Sequence, residues 1–148
     1  MAACRVEAFR GPGPGGQKRN KTSSAIRITH EPTGISAIST ESRSQERNRQ
    51  LALARLRHKI ALLVREEIHL AEFPKPDILE VSRRSADYPA AMGKMLDVLN
   101  HAGWSVSEAA KILGVSTGRL VGFMRADGPL FAEMNCHRRE AGLRGLNS

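Results

Sequence analysis

Two cysteines, Cys4 and Cys136, are the only thiols in this chain of 148 residues. They stand far apart and outside any Cys-x-x-Cys spacing, which argues against a disulfide framework and a thiolate zinc site. Aromatic residues are also scarce, with one Trp, one Tyr and four Phe. So few rings leave base stacking unable to dominate any recognition of nucleic acid. No stretch is long and apolar enough to cross a bilayer. The opening Met1 to Arg5 lacks a basic segment followed by an apolar run, so no secretory leader is expected. These absences point to a cytoplasmic location, or equally an organelle matrix, without a membrane partner. Neither a metal nor another cofactor is expected.

What is present is a folded composition, 41% hydrophobic, with a net charge of +8. The length suits one ordinary domain or two small ones sharing a modest core, and two small ones are expected. The charge is uneven. Through Leu70 there are 13 Lys and Arg against 6 Asp and Glu; the remainder has 10 against 9. A polyanion is therefore expected at the N-terminal half, and nucleic acid is the commonest such partner because neutralised phosphates release counterions.

Arg5 to Arg10 alternates, with Val6 and Ala8 on one face, and predicts a half-buried strand. The run GPGPGGQ, Gly11 to Gln17, predicts an exposed loop, since two prolines and four glycines break regular structure. Ala25 to His30 alternates again. Glu31-Pro32-Thr33-Gly34 then predicts a turn, and Ile35 to Ser39 the second arm of a hairpin. From Ser42 the period becomes helical, with Leu53, Leu56, Ile60, Leu63 and Val64 on one face. Ser42 and Gln45 suit a capping box, and the helix is expected to reach about Glu67. Phe73-Pro74-Lys75-Pro76 suits a linker. Short helices are expected from near Pro89, Val106, Ser116 and Pro129, with Gly103, Gly114 and Gly128 as stops.

A Gly-rich loop by itself suits a phosphate cradle as well as a turn. Gly11 and Gly16 have the spacing of a nucleotide-binding P-loop, but Gln17 and Lys18 stand where that motif needs Lys and then Ser or Thr. The order of the neighbouring pieces decides otherwise. Gly13, Gly15, Gly16, Gln17, Asn20, Lys21, Ser24, Ala25, Arg27, Pro32, Thr33, Gly34, Arg43, Ser44, Gln45 and Asn48 follow a strand, loop, hairpin and basic helix. Over residues 5 to about 60 the chain resembles class I peptide chain release factors, in their codon-independent, ribosome-rescue form.

The resemblance implies hydrolysis of the ester joining a nascent peptide to P-site tRNA, at the peptidyl-transferase centre of the ribosome. Gly15, Gly16 and Gln17 would be catalytic, with the Gln17 main-chain N–H stabilising the oxyanion and its side chain excluding bulky nucleophiles. Gln17 is also the residue on which family members are methylated. The loop carries no Asp, Glu, His or Cys, so no stand-alone hydrolase is expected: substrate and ribosome must supply the rest. His30, on a strand beside a turn, is assigned no catalytic role. Ribosomal RNA and tRNA contacts are expected from Lys18, Arg19, Lys21 and Arg27, extended along the helix by Arg47, Arg49, Arg55 and Arg57. Arg19 departs from the family, where this position is usually apolar.

The expected organisation is α+β: a catalytic domain at 1–72 with antiparallel strands and a long packed helix, a linker at 73–86 and an all-α module at 87–148. Stop-codon readers carry substantial domains ahead of the loop, whereas ten residues precede it here, so codon reading by that route is not expected. Leu143 to Ser148 is too short and weakly charged for the basic tail of small rescue factors. In the module, Ala110, Gly114 and Leu120 fit a helix-turn-helix, although near-neutral charge favours a plain bundle with Met92, Met95, Leu96, Leu99, Ile112, Leu120 and Phe123 as core. A monomer is expected. Two other readings compete: a ribosome- or RNA-binding protein that keeps the loop without productive hydrolysis, and a DNA-binding regulator, which leaves the N-terminal pattern unexplained.

Overall fold

A computed structural model of the chain describes residues 3–10, 24–69 and 76–147. The described residues are α+β, in two compact units, Met1–Ile60 and Ala61–Ser148. The predicted loop Gly11 to Gln17 lies outside the described residues.

In the first unit, β1 (Cys4–Phe9), β2 (Ala25–His30) and β3 (Ser36–Ser39) form an antiparallel sheet in the order β1-β2-β3. Phe9 pairs with Ala25, and Ile26 with Ser39. The β2–β3 turn closes through Gly34, whose φ of 69° suits a residue without Cβ. Its N–H donates to the His30 carbonyl, and the His30 ring bonds Thr33 Oγ1. Helix α1 (Gln45–Leu63) buries Asn48, Ala52 and Leu56, one helical turn apart, against Ile26, Ile28 and Ala37. Each large side chain so buried contributes about 1.5–3 kcal/mol.

Two expectations for this unit are corrected. Val6 and Ala8 were expected inward but are exposed, Val6 by 39%. A helix about 10 Å wide covers roughly two strands spaced about 4.8 Å apart, and α1 packs over β2 and β3. The helix cap is Ser44, whose Oγ accepts the Arg47 N–H, rather than Ser42. The Ser42 main chain is held instead by the Asn48 side chain.

The second unit packs α2 (Tyr88–His101), α3 (Val106–Leu113), α4 (Thr117–Arg125) and α5 (Gly128–Glu140) around one core. Met92, Met95, Leu96, Leu99 and Leu120 are fully buried, with Ile112 and Phe123 half-buried against them. A 3-10 turn, Pro76–Leu79, adds Ile78 to that core, and Arg83 donates to the Ala126 carbonyl, so this part of the predicted linker is packed. Helix α3 is capped by Ser105, which accepts the Glu108 N–H, and α4 by Ser116; between them Gly114 sits at φ 66°. Gly128, expected as a stop, is instead the first residue of α5. The Asp127 carboxylate caps that helix through the Leu130 N–H, and Pro129 suits its first turn.

Helix α1 ends at Leu63 rather than near Glu67. Continuation would require the Glu66 N–H to bond the Leu62 carbonyl, but it donates to Asp97 Oδ1 at 3.0 Å. The Arg65 guanidinium likewise takes the Ala61 carbonyl. Tertiary partners thus outbid the last helical turn.

Two predictions arise from the helical unit, and each has a built-in probe, because Trp104 and Tyr88 are the chain's single Trp and Tyr. Gly122 lies inside α4 with open space where a Cβ would stand. Gly122→Ala is expected to raise stability by about 0.5–1 kcal/mol, read from the Trp104 fluorescence midpoint in urea. Tyr88 donates its hydroxyl to Asp127 Oδ2 at 3.1 Å; burial, then the Asp127 charge, holds the phenol above its ordinary value. Its contribution is therefore complete below the ordinary phenol range and is lost as pH rises beyond it, because the unfolded chain ionises first. Tyr88→Phe is expected to flatten the alkaline loss of stability, and phenolate absorbance should appear late in the folded wild type.

Candidate functional site

The segment 11–23 leaves the end of β1 and returns to β2, so both its attachment points lie at the Phe9–Ala25 end of the sheet. Ser39, the end of β3, is at the same end, paired with Ile26. There Asn48, fully buried in the first turn of α1, joins the pieces. Its Nδ2 donates to the carbonyls of Ser24 at 2.6 Å and Ser42 at 2.8 Å. Its Oδ1 accepts the Ser42 N–H at 2.9 Å and the Ser39 hydroxyl at 3.2 Å. The amide thereby uses both donors and both acceptor lone pairs. The chain at Ser24 is thus tied to the first turn of α1, the positive end of its dipole.

Gly15, Gly16, Gln17, Lys18, Arg19 and Lys21 fall in the segment outside the described residues. The remaining cations divide among three settings. Arg27 stands on the sheet face opposite α1, its guanidinium 5.4 Å from the centre of the Phe9 ring. Arg55 donates to the Ile38 carbonyl and the Glu41 carboxylate, and beside it Lys59 donates to the Ser36 carbonyl at 3.0 Å. These bonds cover the outer edge of β3, an edge that would otherwise offer unpaired carbonyls. Arg47, Arg49 and Arg57 are exposed and have no acidic partner among the described residues. Arg47 and Arg57 are separated by about 15 Å along the axis of α1. Among the described residues no three His, Cys, Asp or Glu side chains gather as a metal ion would need.

The RF-1 domain matches residues 1–84. The chain belongs to the RF-1 domain family of class I release factors. It is 46% identical over 65 residues to peptide chain release factor 1 of Acetivibrio thermocellus, covering 44% of this chain and 18% of that protein. It is 40% identical over 100 residues to peptide chain release factor 2 of Lactiplantibacillus plantarum, covering 68% and 21%. With peptide chain release factor 1 of Leifsonia xyli subsp. xyli the identity is 39% over 97 residues, covering 63% and 27%. The chain thus spans only about a fifth to a quarter of the length of these curated relatives. The RF-1 match takes in β1 to β3, all of α1 and the 3-10 turn, and ends before α2.

The residue whose role the sequence left unassigned is Asn48. It was one of the positions shared with the family, and its type was a usable signal: a lone Asn on the apolar stripe of an amphipathic helix must find hydrogen-bond partners when buried.

Proposed function

We propose that this chain hydrolyses the ester between a nascent peptide and P-site tRNA on the ribosome, without reading a codon, through Gly15, Gly16 and Gln17. The observation that carries the reading is the Gly-Gly-Gln segment in its RF-1 setting, rooted at the end of the sheet where α1 begins. Main-chain N–H groups of such a segment can meet a developing oxyanion in a water-poor cavity. Arg47, Arg49 and Arg57, which have no acidic partner among the described residues, then supply cations for ribosomal RNA along α1, with Arg27 offering one on the far sheet face. Arg55 is already engaged within the unit and contributes less. A second reading, ribosome or RNA binding without productive hydrolysis, is favoured by one feature, the charged Arg19 where the family usually has an apolar residue.

Ribosomes carrying labelled peptidyl-tRNA decide between these readings, with the A site either empty of codon or displaying a stop codon. Release with the empty A site is the expected result. Release only with a stop codon would replace codon independence by termination, and binding without release in either state would establish the second reading.

A further inference from the structure

Segment 11–23 must return to the sheet through Ser24, and the only side chain of α1 that bonds the Ser24 carbonyl among the described residues is Asn48. The same amide holds Ser42 by both its N–H and its carbonyl, and receives the Ser39 hydroxyl. Three chain passages, into β2, out of β3 and into α1, are thus fixed to one buried group. No other side chain reproduces this set. Asp has no N–H donors and would turn a carboxylate toward two carbonyls; Gln carries the amide one carbon further out; Ala leaves polar groups of Ser24 and Ser42 without this partner.

We propose that Asn48 is a positioning residue for peptide release, holding the backbone at Ser24 in the place from which the Gly-Gly-Gln segment is presented. The inference rests on the hydrolytic reading above. Asn48 touches no reacting atom; it acts through the chain path, and small errors of placement in a reacting group are costly in rate.

The test compares the full-length wild type with Asn48→Asp, the milder Asn48→Ser, and Leu56→Ala. Leu56 fills the same core and makes none of these hydrogen bonds, so its variant reports lowered stability alone. Release is measured against protein concentration, below the unfolding temperature of every variant. Both Asn48 variants are expected to lower the maximal rate by about 10- to 100-fold. Their half-saturating concentration should stay within about twofold, the signature of a loss after binding. Leu56→Ala should keep its maximal rate. An equal loss in Leu56→Ala, or a loss confined to the half-saturating concentration, overturns the proposal. Amide NMR spectra of the same proteins separate its failure from failure of the hydrolytic reading. Should the wild type release nothing, resonances of residues 18–24 that move in Asn48→Ser but not in Leu56→Ala still establish the coupling, and unmoved resonances refute it.

Discussion

Gln17→Pro is expected to lower peptide release by about 100- to 1,000-fold, the usual consequence of losing one oxyanion donor. Proline removes the main-chain N–H itself, whereas Gln17→Ala keeps it and removes only the carboxamide. The proposed mechanism assigns different work to these two parts. In that proposal the N–H would meet negative charge that appears only as the ester is attacked, so its loss would lower the rate more than the affinity. The side chain would screen the nucleophile. Gln17→Ala should therefore retain most hydrolysis while letting added hydroxylamine compete better with water. The measurement is labelled-peptide release with and without hydroxylamine, with ribosome binding followed in parallel. Equal losses in the two variants would move the catalytic donor away from the Gln17 backbone.

Asp97→Ala is expected to cost the helical unit about 3–5 kcal/mol, a loss typical of breaking a buried ion pair on one side. The side chains of Arg65 and Asp97 are 14% and 9% exposed, and Arg65 Nη1 lies 3.2 Å from Asp97 Oδ1. Burial lowers the Arg65 pKa and raises that of Asp97, each against the attraction of its partner, so desolvation is the largest influence on both. The pair accordingly adds little net stability while intact. Removing the carboxylate is another matter: it leaves a buried guanidinium, whose Nε already lacks a hydrogen-bond partner among the described residues, and strips the Glu66 N–H of its acceptor. The double variant Arg65→Met with Asp97→Leu should recover most of the loss, because no uncompensated charge remains. Urea midpoints from Trp104 fluorescence test both. An Asp97→Ala midpoint equal to wild type would show that solvent reaches Arg65 freely.

The two predictions rest on different layers of the protein. Gln17 was singled out from the order of motifs alone, whereas nothing in the sequence around Arg65 pointed to Asp97.

Among the described residues, the sequence by itself determined the succession of strand, hairpin, basic helix and short helices, together with most of the helical core. These features depend on period, capping residues and turn chemistry, whose partners lie within a few residues. It also carried the Gly-Gly-Gln resemblance, because that motif is a local string in a fixed order. The tertiary structure decided the rest. Only the folded chain brings Ser24 to Asn48 across 24 positions, Ile38 to Arg55 across 17, and Asp97 to Glu66 across 31. The first pairing fixes the chain where it enters β2, the second ties an arginine to a sheet edge, and the third ends α1 early. Val6 and Ala8 alternate as an inward face should, yet the width of one helix leaves them in solvent. Periodicity states which face of an element is apolar; how far a neighbour covers that face, and which distant polar group arrives to compete for a hydrogen bond, follows from packing in three dimensions.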